Sequence, residues 1–184
     1  MEPSPTTSLQ RLQGSSQDVR EKFGRIETCK RDLWHQKQRL LPPEPAQVAD
    51  LVIPDDWKTT EVAHAQRFLL HDNEGGQQRM LIFATDEQLR ALANATVWHM
   101  DRTFSCCPRL FLQLYTIRVP LESSVTCVYA FLPNKRQATY EAFLQAITEE
   151  CLNRNIPVVP SRVVTDFETA VINAVTSVLG QQVR

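Results

Sequence analysis

The sequence predicts an α/β fold, a mixed sheet with helices packed on it. Three observations lead there. The β-rich runs Val97–Met100, Leu110–Val119 and Val125–Leu132 follow one another with short connections, the pattern of a three-strand antiparallel meander. Tyr140, Phe143, Leu144, Ile147 and Cys151 recur at helical spacing, and so do Phe167, Ala170, Val171, Ala174, Val175 and Val178. Between these two helical stretches lies a fourth strand candidate, Pro157–Val164. The helix before it is long enough to cross over to a parallel strand, and such crossovers are right-handed.

Taken in order, residues 1–18 are rich in Ser, Thr, Pro and Gln and have little to bury, so they are predicted to be disordered. In 19–41, Val19, Phe23, Ile26, Leu33 and Leu40 are spaced near-helically, with Ser16 as a candidate N-cap. Gly24 weakens that helix by ~1 kcal/mol. The same stretch carries Arg20, Lys22, Arg25, Lys30, Arg31, Lys37 and Arg39. It reads either as a solvated helix face or as an arm that contacts nucleic acid, with Lys30 and Arg31 as candidates. Pro42, Pro43 and Pro45 close the helix, so residues 1–45 form an arm and linker. Residues 46–94 are predicted to hold a hairpin and a short helix leading into the core. The hairpin pairs Arg67–His71 with Arg79–Phe83 around Gly75-Gly76. Thr85-Asp86-Glu87-Gln88 is a capping box that opens a helix to about Ala93. Residues 95–184 hold the meander, the crossover helix, the fourth strand and a last helix, with Gly180 where a C′ residue would sit. No repeat of 20–50 residues is apparent.

Composition sets bounds on this reading. At ~150 residues per domain, 184 residues make one domain and a tail. The net charge of −1 excludes a strongly basic binder and an acidic solvating chain. It conceals a division, because residues 1–45 hold eight basic and six acidic side chains, leaving 12 basic and 15 acidic in the remainder. Five cysteines without a CxxC pair argue against a disulfide framework and fit a reducing compartment. No apolar run approaches the ~18 residues of a membrane span, and no apolar signal core follows the start, so the chain is expected neither to cross a membrane nor to be secreted.

Two aspartates carry the candidate chemistry. Asp101 is expected to end the first strand of the meander and Asp166 the fourth strand. If those strands are parallel neighbours, both carboxylates emerge at one end of the sheet. Such a pair repels itself unless a cation or a shared proton offsets the charge. Mg²⁺ or Mn²⁺ suits hard oxygen ligands, and two such ions ~4 Å apart can position a nucleophile on phosphate and stabilise the leaving oxygen. The same residues allow a plainer reading. Thr165-Asp166-Phe167-Glu168 fits an S/T-x-x-E capping box, and Asp101 is also suited to a turn after a strand.

Several motifs resemble one family. Trp98-His99-Met100-Asp101-Arg102-Thr103-Phe104 resembles the W-x-M-D-G-T-F element of MULE (Mutator-like element) transposase domains. Cys107 to Ile117 is similar to the strand that follows it, and Tyr129-Ala130-Phe131-Leu132-Pro133-Asn134-Lys135 to the L-L-P-N-K element. Thr139-Tyr140 and Phe143-Leu144 correspond to the crossover helix. Thr165-Asp166-Phe167-Glu168, with Ala170, Asn173 and Ala174, resembles the second acidic element. The likeness covers about 50–184 and is densest from 96 to 175. It implies an RNase H-like fold, DDE-type DNA strand cleavage and transfer around divalent metal, DNA as partner and the nucleus (or the cytoplasm) as location. Asp101 and Asp166 match the first two acids of that triad as catalytic residues and metal ligands. From their own chemistry, Lys135 and Arg136 read either as contacts to DNA phosphate or as a solvated loop, and Arg102 either pairs with Asp101, points away or touches DNA phosphate.

The sequence departs from the family pattern twice. Arg102 stands where the family has Gly, and a guanidinium there can compete with metal. After Glu168 the remaining sixteen residues hold no acid, so the third carboxylate is missing, and the domain reads as truncated and incomplete. In this fold the fourth strand lies between the first and a fifth. Without the fifth, its open edge is expected to accept a second copy or another partner. The expectation is a transposase-derived domain without catalysis in this chain. Alternatives are a non-catalytic DNA- or protein-binding module, or a truncated product without independent function.

Other residues have structural readings. Cys106 and Cys107 point to opposite faces of an extended chain and read as packing or partly exposed residues. Trp98 reads as a core anchor and His99 as a packed histidine able to approach Asp101. His64 and His71 fit a surface loop and a strand end. Cys29 and His35 are too few for a zinc site.

Overall fold

Alternation along one strand orients the whole sheet. In the computed structural model, Gln113, Tyr115, Ile117 and Val119 of the strand Gln113–Pro120 are buried, while the residues between them are half-buried or exposed. The structure describes residues 45–60, 64–103, 106–121, 124–158 and 160–180. Within them lie six strands: β1 (Leu69–Asp72), β2 (Leu81–Phe83), β3 (Val97–Thr103), β4 (Gln113–Pro120), β5 (Ser124–Leu132) and β6 (Arg162–Val164). Three helices accompany them: α1 (Asp86–Asn94), α2 (Gln137–Leu152) and α3 (Thr169–Leu179). The predicted basic helix at 19–41, with Lys30 and Arg31, lies outside the described residues.

The sheet order is β1-β2-β5-β4-β3-β6. β3, β4 and β5 form the predicted meander, with Tyr115 opposite both Arg102 and Ala130. β6 joins β3 in parallel, in the register Val97↔Arg162, Trp98↔Val163 and His99↔Val164. The hairpin does more than lead into the core, because β2 pairs antiparallel with β5 and extends the same sheet. The inner face packs on all three helices. Trp98, Met100, Tyr115, Ile117 and Val163 meet Leu89 and Leu92 of α1, Tyr140, Phe143, Leu144 and Ile147 of α2, and Val171, Ala174 and Val175 of α3 in one core. Tyr115 stands edge-on to Phe143, with centroids 5.8 Å apart, and tilts against Tyr140 at 5.3 Å. On the outer face, Val48, Leu81 and Phe111 form a smaller cluster, joined by Leu51, Phe83 and Phe131.

Local signals explain most element ends. Thr85 accepts from the Gln88 N–H, and Gln88 Oε1 accepts from the Thr85 N–H, closing the predicted capping box. Trp98 donates its indole N–H to the Leu92 carbonyl near the end of α1 at 3.0 Å. Gly180 ends α3 at φ +64°, a left-handed conformation that glycine adopts without a Cβ penalty.

Four expectations need correction. The fourth strand spans Arg162–Val164 and not Pro157–Val164, because Pro157 and Pro160 have no N–H for a ladder. β4 starts at Gln113 rather than Leu110; Phe111 instead folds into the outer cluster. β3 runs through Asp101 to Thr103 rather than ending at Asp101. The last helix starts at Thr169 with Glu168 as its N-cap residue, so Thr165–Glu168 is not a capping box and Phe167 is fully exposed instead of lying on the buried helix face.

Two ion-pair arrays lace the N-terminal part to the sheet. Arg79 is almost buried. Its Nε and Nη2 donate to Asp72 Oδ1 at 2.9 Å and Oδ2 at 2.5 Å, and its Nη1 donates to the Val48 carbonyl at 3.3 Å and the Leu51 carbonyl at 2.5 Å. In a half-exposed ring, Arg67 reaches Asp86 at 2.8 Å and Glu150 at 3.7 Å, while Arg154 reaches the same two acids at 3.2 Å and 2.6 Å. Burial pushes the Asp72 carboxyl up, but the Arg79 hydrogen bonds, the Glu74 N–H and neighbouring positive charge hold it below its usual value. A carboxyl depressed on folding stabilises above its unfolded pKa, near ~4, and that stability is lost as pH falls through the folded value.

Asp72→Asn leaves the Arg79 guanidinium nearly buried without its counter-charge. Urea unfolding at pH 7 is expected to show a loss of about 3 kcal/mol, and the variant's stability should fall less steeply than the wild type's below pH ~4. Thr85→Ala is expected to cost about 1 kcal/mol in the same measurement, through the lost N-cap.

Candidate functional site

The candidate site lies where the parallel pair β3 and β6 stops. Pairing ends at His99↔Val164, and β3 then continues alone on that side while the chain after β6 turns toward α3. Strand alternation decides what each β3 residue meets. Trp98 and Met100 face the buried side, whereas His99 and Asp101 are exposed on the other. Arg102 follows the inward set.

From there the Arg102 guanidinium spans two acids. Its Nε lies 3.1 Å from Asp166 Oδ2, and its Nη1 donates to Glu168 Oε2. All three side chains are half-buried or nearly buried, so their attraction is screened less than a surface pair's. A planar fork with several N–H donors suits two carboxylates held side by side.

Behind this pair runs a chain of hydrogen bonds into the core. Tyr140 Oη donates to the second oxygen of Glu168, Oε1, at 3.2 Å. The same Oη accepts from Gln113 Nε2 at 2.8 Å, and Nε2 also donates to the Asn134 carbonyl at 3.3 Å. Gln113 Oε1 is buried without a protein partner. On the other flank, the hydroxyls of Tyr115 and Thr165 lie 3.2 Å apart and the Thr165 Oγ1 donates to Asp166 Oδ1 at 3.4 Å. The turn 165–168 is therefore held from β3, β4 and α2 at once.

Asp101 is placed differently from Asp166. It is exposed on the outer face, and its Oδ1 accepts from the Arg102 backbone N–H at 2.8 Å. Among the described residues no three His, Cys, Asp or Glu side chains are grouped to hold an ion. As arranged, the residues do not fit a divalent ion: one acid faces outward, and the other two are already bridged by a guanidinium. His99 shares the outer face with Asp101 and is exposed, not packed. Lys135 is half-buried and Arg136 exposed, in the connection between β5 and α2. Asn134 fixes that connection, accepting from the Arg136 N–H at 2.9 Å and the Thr139 hydroxyl at 2.7 Å. Cys106 is exposed and Cys107 half-buried, and burial raises the Cys107 thiol pKa.

The sequence did not single out Glu168, Tyr140 or Gln113 as members of the site. Arg102 was the available signal, since an arginine in place of glycine beside an acid calls for partners.

Fold and site together define a mixed α/β domain with an acid–guanidinium cluster at the carboxyl ends of its two parallel strands. Residues 97–183, a little under half of the chain, match the family model of the MULE transposase domain, consistent with such a domain in the C-terminal part. No curated protein and no solved structure matches the chain. No helix among the described residues is long and apolar enough to cross a membrane.

Burial, first, and then the Glu168 charge raise the Tyr140 phenol to about 12, and burial raises Tyr115 still further. A phenol raised on folding stabilises the protein fully below its unfolded pKa of ~10, and that contribution is lost as pH rises through the folded value. Stability measured by urea unfolding is therefore expected to fall between pH 10 and about 12. Tyr140→Phe should flatten part of that fall and cost about 1 kcal/mol at pH 7.

Proposed function

We propose that the domain is RNase H-like, descends from a DDE-type DNA transposase, and binds DNA without cutting it while Arg102 holds the acidic pair. The strand arrangement supports the fold: a meander β3-β4-β5 followed by a parallel strand set beside β3. The family match supports the descent and makes DNA the expected partner, with the nucleus as the place of action. The observation that carries the absence of cleavage is the guanidinium of Arg102 on Asp166 and Glu168. Metal at Asp101 and Asp166, as the resemblance implies, would require that guanidinium to leave.

DNA contact is assigned to Arg136 and Lys135 in the connection just before α2, with Lys30 and Arg31 in the basic arm. Arg102 itself is committed to the acids. A second reading, a protein partner, is favoured by β6 at the sheet edge and by the fully exposed Phe167 that follows it.

Supercoiled DNA incubated with the full chain and Mn²⁺ is expected to stay uncut, while gel-shift affinity falls steeply with salt. Replacing both Lys135 and Arg136 by Ala should weaken binding uniformly across sequences and lower the salt slope by about one for each phosphate left without its cation. Nicking by the wild type that disappears in Asp166→Asn would overturn the absence of cleavage. Salt-independent binding, or none, would shift the assignment to a protein partner.

A further inference from the structure

We infer that Arg102 is a built-in counter-ion: it stands where a metal-dependent relative would need a cation, so this domain folds and holds its acidic turn without metal. The inference rests on the proposed descent and adds how the site is kept in order. Two half-buried carboxylates two residues apart on one turn carry like charge and repel each other unless something positive lies between them. The Arg102 fork supplies that charge to both, from a strand neighbouring β6.

The surroundings are built for this arrangement. Glu168 spends one oxygen on Arg102 and the other on the Tyr140 hydroxyl, while Asp166 spends Oδ2 on Arg102 and Oδ1 on Thr165. All four carboxylate oxygens thus have protein partners, which removes the need for an ion to satisfy them. Tyr140 in turn is oriented by Gln113, and Thr165 by Tyr115, so the partners are themselves fixed. Arg102 acts here as a positioning residue: it sets the turn from which Asp166, Phe167 and Glu168 project, and α3 starts immediately after it.

The experiment compares melting temperatures of the full chain in EDTA, Mg²⁺ and Mn²⁺. The wild type should melt at one temperature in all three. Arg102→Gly should melt roughly 5–10 °C lower in EDTA, and Mn²⁺ should recover part of that loss. Adding Asp166→Asn and Glu168→Gln to Arg102→Gly should recover stability in EDTA and abolish the response to Mn²⁺, because the repulsion and the ligands are both gone. If Arg102→Gly does not fold in any buffer, the triple variant decides: a folded triple supports the counter-ion, and an unfolded one overturns it. A wild type stabilised by metal, or an Arg102→Gly chain as stable as wild type in EDTA, overturns it too. Cleavage of DNA by the wild type would refute the proposed function without touching these melting temperatures, so the two ideas fail separately.

Discussion

A β-strand sends consecutive side chains to opposite faces, and β3 has an aspartate followed directly by an arginine. Everything at the candidate site follows from that constraint. With Trp98 and Met100 buried, the alternation leaves Asp101 in solvent and carries Arg102 inward. An inward guanidinium must find acceptors there, and the turn after β6 offers Asp166 and Glu168. Glycine at position 102 would leave the inner acids without that guanidinium. The positive charge between the two acids is thus covalently part of the chain.

Much of the architecture was legible because it rests on period and punctuation. The buried faces of α2 and α3, the Thr85 capping box, the meander and Gly180 all depend on residues close in sequence. The misreadings have physical causes as well. Phe167 continues the apolar spacing of α3, but the helix opens two residues later, because Asp166 and Glu168 are pulled toward Arg102 before the helical geometry starts. Thr165-x-x-Glu168 matches a capping box in letters, yet both side chains are bonded elsewhere, Thr165 near Tyr115 and Glu168 to Arg102 and Tyr140. Glu168, Tyr140 and Gln113 meet only through packing of α2 and α3 on the sheet, and no local pattern announces that. Whether the basic arm contacts DNA is a matter of Lys30 and Arg31, which lie outside the described residues.

The polar devices of the domain share one logic. Arg79 ties Val48 and Leu51 to β1 and β2, the Arg67–Asp86–Arg154–Glu150 ring ties α1 to α2, and Arg102 ties β3 to the start of α3. In each, an arginine joins segments distant in sequence through more than one bond. Burial orders the three by strength. The Asp72–Arg79 pair is the most enclosed and the ring is the most solvated, so each pair in the ring contributes least. The half-buried Arg102 cluster falls between them, strong enough to hold a turn and open enough at its rim for Phe167 to project fully into solvent.

The indole of Trp98 gives this arrangement an optical consequence. It is buried four residues before Arg102 on the same inward side of β3, with its N–H fixed on the Leu92 carbonyl. Trp57, by contrast, is about half exposed at 47%. Trp98 should therefore emit at short wavelength and resist acrylamide, while Trp57 emits to the red and is quenched. Its fluorescence is a native reporter placed on the strand that sends one charge outward and the next one in.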